Sequence, residues 1–152
     1  MAEIAFRRAK RTDIAVIVAM LADDKLGSSR EDIREPLAEA YLKAFEAIDT
    51  DPNQFLAVMT EADRVVGTLQ LTFIAGLSRR GALRGQIESV RVIRDRQGTG
   101  LGQKMIEWAV DQCRERGCAI VQLTTDRSRL DAHRFYERLG FKQTHLGYKI
   151  DL

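Results

Sequence analysis

Gln97-Gly98-Thr99-Gly100-Leu101-Gly102 sets three glycines at alternate positions just before a helical pattern. Without Cβ atoms the backbone can turn tightly there and aim successive N–H groups at one point. A helix start adds donors with no intrahelical partner and a partial positive charge, so the segment suits a phosphate. The spacing excludes two common phosphate loops. A P-loop needs G-x-x-x-x-G-K-[S/T], and Lys104 is followed by Met105. A dinucleotide fingerprint needs G-x-G-x-x-G early in a strand–helix–strand repeat, whereas these glycines are evenly spaced and late in the chain. Two further residues are candidates for proton chemistry: Glu88, in a strand-like stretch, and Tyr136, in a helical one.

Other groups are less specific. Ser78-Arg79-Arg80-Gly81-Ala82-Leu83-Arg84 concentrates three arginines near a hairpin, as a solvated turn, an anion site or a dimer contact would. Asp23-Asp24 and Glu31-Asp32 form acidic loops able to meet a cationic acceptor, and His133 reads as a packing or surface histidine. Cys113 and Cys118 are expected to be packing residues, and with two scattered histidines they make no zinc site. No metal is expected.

The elements that must position these residues follow from periodicity. Ile4–Arg7 suggests a strand, and Thr12 or Asp13 can cap a helix carrying Ile14, Ile17, Val18 and Leu21 on one face. Pro36 suits the first turn of a second helix with Leu37, Tyr41, Ala44, Phe45 and Ile48. Strands are predicted at Phe55–Met59, Val65–Phe73 and Gln86–Ile93, as an antiparallel meander. A helix from Gly100 to Arg116 closes at Gly117, Ala119–Leu123 is a short strand, and a helix from Leu130 closes at Gly140. Phe141–Ile150 is expected to supply two terminal strands. The order is an α+β pattern over a single domain, 1–152, with a mixed central sheet flanked by helices.

Gln97-x-x-Gly100-x-Gly102 after Val90-Arg91-Val92 resembles the acetyl-CoA motif Q/R-x-x-G-x-G/A of the GNAT N-acetyltransferase superfamily. Ala132-His133-Arg134-Phe135-Tyr136-Glu137-Arg138-Leu139-Gly140-Phe141 resembles that family's second signature, A-x-x-[F/L]-Y-E-x-x-G-F. Both occur in the family's order, and the resemblance covers nearly the whole chain. It implies that backbone N–H groups from Gly98, Thr99, Gly100, Leu101, Gly102 and Gln103 hold the CoA pyrophosphate. It also implies that Val90 and Val92 pair with the pantetheine arm and that a strand N–H near Val90–Val92 holds the thioester oxygen. Where the family often carries Asn seven residues before the tyrosine, this chain has Arg129, which could reach a phosphate instead. Tyr136 would protonate the departing thiolate, a role open to a phenol of pKa about 10.

Gln86-Ile87-Glu88-Ser89-Val90-Arg91-Val92 resembles the I-E-x-V-x-V strand of the family's small-molecule enzymes, which makes Glu88 the candidate base. Period two puts Glu88 on the face of Val90 and Val92, as a partly buried carboxylate. The expected reaction is direct transfer from acetyl-CoA to a small-molecule primary amine. A protein lysine or N-terminus as acceptor, and a non-catalytic acyl-CoA sensor, are the alternatives. The net charge of +2, without a basic arm, argues against nucleic acid, and no run approaches the roughly 18 apolar residues of a membrane span. The N-terminal pattern is strand-like rather than a signal core, so the protein is expected in the cytoplasm, with a homodimer through Phe73, Ile74 and Leu77 expected from the resemblance.

Overall fold

A computed structural model describes residues 2–152, which divide into two compact units, the first running to Gln122 and the second from Leu123 to Leu152. The first holds strand β1 (Ile4–Arg8), helices α1 (Ile14–Ala22) and α2 (Glu39–Thr50), and strands β2 (Gln54–Glu61), β3 (Arg64–Ile74) and β4 (Arg84–Val92). Helix α3 (Leu101–Glu115) then leads to strand β5 (Ile120–Leu123), which ends at the boundary between the units. The second unit carries helix α4 (Leu130–Arg138). The five strands lie in chain order in one mixed sheet, β1 to β4 antiparallel, with α3 as the crossover between β4 and β5.

Each face of the sheet is covered by what its alternate residues demand. On one face Val58 packs with Ile14, Ile17, Val18 and Met20 of α1 and Phe45 of α2. On the other, α3 stacks Trp108 on Phe6 at 4.9 Å and edges it onto Phe55 at 5.5 Å. A Cβ at Gly85 would lie 2.3 Å from Cys113 Sγ, so this glycine lets α3 settle on β4. Cys113 is fully buried, and burial above all, with Cys118 adding to it, pushes its thiol up to about 12. Both cysteines are packing residues, and such a thiol is no nucleophile at neutral pH.

Three local expectations are corrected. Helix α2 begins at Glu39, not at Pro36, because Ala38 is still extended at φ −57°, ψ 135° while the Tyr41 hydroxyl bonds Glu31 and the Asp32 N–H. Asp13 acts one turn earlier than a simple cap: its carboxylate accepts the Lys10 N–H at 2.7 Å, closing the 3₁₀ turn Arg11–Asp13 that runs into α1. No strand forms in 141–152 among the described residues. Apolar residues alternate there, but the segment has no ladder partner, and Leu146, Tyr148 and Ile150 are exposed.

Asp13 also receives the Arg7 guanidinium at 2.7 and 3.1 Å, and that pairing, together with the Lys10 N–H, holds its carboxyl below the ordinary 3.8 in spite of burial. The depressed value means its stabilisation is complete above about pH 4 and drains away as the pH falls through the folded value. Asp13→Asn should therefore cost about 1–3 kcal/mol at pH 7 and much less at pH 2. Urea unfolding at the two pH values measures this. An equal loss at both would remove the ion pair from the account.

Candidate functional site

Strand β4 departs from simple alternation at one residue. Gln70 pairs with Glu88 and Thr68 with Arg91, so β3 advances two residues while β4 advances three. The extra residue is accommodated at Ser89, which has a left-handed φ of 55°. This bulge resets the parity of the strand. Glu88 shares a face with Gln86 and Arg91, while Val90 and Val92 lie on the opposite face with Ile87, towards α3. The expectation that Glu88 sits beside Val90 and Val92 fails for this reason. Glu88 is also exposed rather than partly buried, and its carboxylate accepts the Gln86 side-chain amide at 3.0 Å.

The bulge leaves backbone groups on an open edge. The Ile93 N–H bonds the Val66 carbonyl on the β3 side at 2.9 Å, so by alternation the groups of Val92, and of Val90 before it, point the other way. β5 starts beside Leu83, where the Ala119 N–H bonds its carbonyl at 2.9 Å, and ends after four residues, so β4 outruns it. The Arg91 backbone instead faces β3, and its guanidinium pairs with Asp24 at 3.0 Å.

Beyond β4 the chain makes a 3₁₀ turn, Arg94–Arg96, and enters the glycine loop. The Gln97 side chain donates to the Val92 carbonyl at 3.1 Å, and Thr99 Oγ1 to the Arg96 carbonyl at 2.6 Å. Both side chains therefore shape the loop. Gly98 and Gly100 have φ of 75° and 84°, which L side chains rarely adopt. Gly100 is the N-cap of α3, and Lys104 is the first N–H to close a helical bond, on the Gly100 carbonyl at 3.2 Å. The N–H groups of Leu101, Gly102 and Gln103 precede that bond, so the helix supplies them no acceptor. Leu101 is buried and anchors the helix start, while the exposed Gln103 amide bonds Glu107 at 2.7 Å. A cavity of about 430 Å³ beside the loop is lined by Arg96, Thr99, Leu101 and Lys104, with Ala2, Ile4 and Glu61.

Two features escaped sequence reasoning. Asp23 and Asp24, read from sequence as an acidic loop able to meet a cationic acceptor, pair with Arg94 and Arg91, tying the end of α1 to the end of β4. The second is a polar row across the α1 face of the sheet. Gln54 accepts from Gln70 at 2.8 Å and from Thr72 at 3.0 Å, Gln122 donates to Gln86 at 2.8 Å, and Arg84 to Gln122 at 3.3 Å. The signal was present as Gln70/Thr72 and Arg84/Gln86/Glu88 at period two in strands whose other residues are mostly apolar.

Arg129 and Tyr136 belong to the second unit. Arg129 is the N-cap of α4, exposed, its N–H on the Asp126 carbonyl at 3.0 Å. The Tyr136 ring meets Phe135 at 5.1 Å and Phe141 at 6.0 Å, both edge-on, and the Phe141 N–H bonds the Tyr136 carbonyl at 3.1 Å. His133 contacts the Asp126 carbonyl through Nε2 at 2.9 Å, a local structural role. Among the described residues no group of three His, Cys, Asp or Glu could hold a metal ion, and no helix is long and apolar enough to cross a membrane.

The sequence pattern of the Acetyltransferase (GNAT) family matches residues 19–141. The aminoalkylphosphonate N-acetyltransferase of Salmonella typhimurium is 31% identical over 110 residues, 72% of this chain and 71% of that protein. N-alpha-acetyltransferase 30 of Schizosaccharomyces pombe is 28% identical over 112 residues, 74% and 71% of the two chains. Among solved structures, one described as a transcriptional regulator from Bacillus halodurans superimposes with a TM-score of 0.96 at 43% identity, covering 99% of this chain and all of that one.

The loop geometry makes a prediction about CoA. Gly100→Asp puts a side chain and a negative charge at the helix start and should weaken CoA binding more than tenfold, or more than about 1.4 kcal/mol. Gly100→Ala carries the same backbone strain without the charge and should lose much less. Calorimetry on the two folded variants, with and without a divalent ion, reads the difference. Equal binding by Gly100→Asp and wild type would remove the loop from the site.

Proposed function

The chain belongs to the GNAT acetyltransferase family, and from that premise we propose that it moves the acetyl group of acetyl-CoA to the primary amine of a small molecule by direct attack. The observation that carries the reading is the run of backbone N–H groups left open from the edge of β4 at Val90 and Val92, whose carbonyls accept from the Arg91 and Gln97 side chains, to the first turn of α3. An extended pantetheine arm suits that edge as an added strand, and a pyrophosphate suits the N–H groups from Gly98 to Gln103. Donors fixed in the backbone need no reorganisation when negative charge grows on the thioester oxygen.

In this reading Glu88 takes a proton from the amine, directly or through a water, on the polar face of the sheet. The amine nitrogen then bonds to the acetyl carbon, the carbon–sulfur bond breaks, the thiolate takes a proton from Tyr136, and the second proton shed by the nitrogen restores the phenol by way of solvent. The small-molecule acceptor is supported by the aminoalkylphosphonate relative and by the hydrogen-bonding row beside Glu88. The S. pombe relative supports a protein N-terminus as the second reading. We read the enzyme as cytosolic, with no metal and no nucleic-acid partner.

A thiol-release screen with amines, amino acids, aminoalkylphosphonates and peptides tests the activity, and an acyl-CoA sensor would release nothing with any acceptor. With an acceptor in hand, Glu88→Gln should flatten the acidic limb of the pH–rate profile. Tyr136→Phe should lower kcat by about 10- to 1000-fold with little change in acetyl-CoA affinity. Wild-type kcat in Tyr136→Phe would make the phenol a packing group, and an intact acidic limb in Glu88→Gln would move the base elsewhere.

We also propose a homodimer. Phe73 is buried beneath the Arg116 guanidinium, 4.4 Å from its ring centre, and leaves the candidate surface. Ile74 and the 96%-exposed Leu77 remain on it. Sedimentation should give twice the 17.2 kDa of one chain at tens of micromolar, and a monomer there removes the idea.

A further inference from the structure

We infer that Arg84 forms the anion-binding end of the acceptor site, so that the acceptor is an amine carrying a carboxylate or phosphonate at its far end. The inference rests on the acetyl-transfer reading only for the identity of the amine end. Of the three arginines near the hairpin, Arg79 and Arg80 are exposed in the left-handed turn Ser78–Gly81, with φ of 55° and 61°. Arg84 alone begins β4 and lies half-buried against the sheet. Further along, Arg91, Arg94 and Arg96 each have a carboxylate partner, Asp24, Asp23 and Glu61. Among the described residues Arg84 has none: its guanidinium donates one bond, at 3.3 Å, to the neutral amide oxygen of Gln122.

The two ends of the polar row have fixed and opposite chemistry. Arginine can only donate and an ionised carboxylate can only accept. The bonds Arg84 to Gln122, Gln122 to Gln86 and Gln86 to Glu88 therefore run in one sense, with a cation at one end, an anion at the other and two neutral amides between. Arg84, Gln86 and Gln122 are half-exposed and Glu88 exposed, so a ligand can lie along the row. Four residues of strand separate the end Cα atoms by roughly 13 Å, and two long side chains can shorten the span they offer a ligand. A zwitterion with its ammonium at Glu88 and its anion at Arg84 matches this pattern, and a guanidinium holds either anion bidentately.

Calorimetry in the presence of CoA tests it with three linear series of two to six carbons: ω-aminoalkylphosphonates, ω-amino carboxylates and ω-amino alcohols. Phosphonates, carboxylates or both should bind at least tenfold more tightly than the amino alcohol of the same length, and the two anionic arms tell which anion is preferred. Arg84→Gln keeps a donor for Gln122 but removes the charge. It should erase that difference, leaving amino-alcohol affinity, CoA binding and thermal midpoint as in wild type, and Arg84→Lys should restore part of it. Equal binding of all three series, equal losses in Arg84→Gln for charged and neutral ligands, or no binding by any member would overturn the assignment. Failure of the transfer reading looks different. Anionic amines would then bind through Arg84 yet release no thiol from acetyl-CoA, whereas thiol release indifferent to the anion would overturn Arg84 and leave the transfer standing.

Discussion

One inserted residue in β4 determines which chemistry faces which side of the sheet. A non-glycine residue in the left-handed region costs on the order of 1–3 kcal/mol, and persists only where its surroundings over-determine it. Ser89 meets that condition. Before it, Arg84 to Glu88 are in register with β3; after it, Arg91 and Val92 are in register again, and Arg91 is held to Asp24. With both flanks fixed, the extra residue has nowhere to go but outward. The polar set Arg84, Gln86 and Glu88 therefore faces the α1 side, while Val90 and Val92 turn their side chains towards α3 and their backbone groups to the open edge. A strand without the bulge would put the carboxylate and the valines on one face.

The α1–β4 ties have a consequence for precision. Arg91 and Arg94 flank the end of β4, and each is paired to one of two adjacent aspartates at the end of α1. The Arg91–Asp24 pair is mostly shielded from water, with side chains 20% and 27% exposed, so salt screens it less than a surface pair. Gln97 then fastens the loop to the Val92 carbonyl. These contacts touch no substrate in the proposed reaction. They restrain the distance between the strand edge and the helix start, the two places a long ligand such as acetyl-CoA must reach at once, and misplacement of either by an ångström is costly in a catalytic site.

Most elements were legible because their cause is local. Gly117 and Gly140 end helices at φ of 83° and 94° where the apolar periodicity stops, and the glycine loop with its following helix was readable from spacing alone. The bulge was not legible. Left-handed positions usually announce themselves by glycine or asparagine, and here the residue is serine, imposed by pairing with β3 rather than by its own preference. The partners of Asp23 and Asp24 were hidden for a related reason: they lie some 70 residues away in sequence, and charge alone does not say which arginine folds back. The segment 141–152 shows the converse, since alternation alone does not make a strand without a second strand to pair with.

The same reasoning separates what a glutamine does from what its position suggests. Gln97 carries the family motif, yet its side chain bonds its own strand, whereas Gln86 and Gln122 carry no motif and lie next to the candidate base. A buried or half-buried amide must satisfy both its donor and its acceptor ends, so its neighbours fix its orientation. Gln86 has its oxygen committed to Gln122 and its nitrogen to Glu88, and cannot flip without losing both bonds. Glu88 thus stands on an exposed surface with one rotamer favoured by a chain of three hydrogen bonds that ends in the Arg84 guanidinium, four residues back on the same strand. That gives an exposed carboxylate the fixed geometry that burial would otherwise have to supply, and it comes from residues that neither periodicity nor motif had singled out.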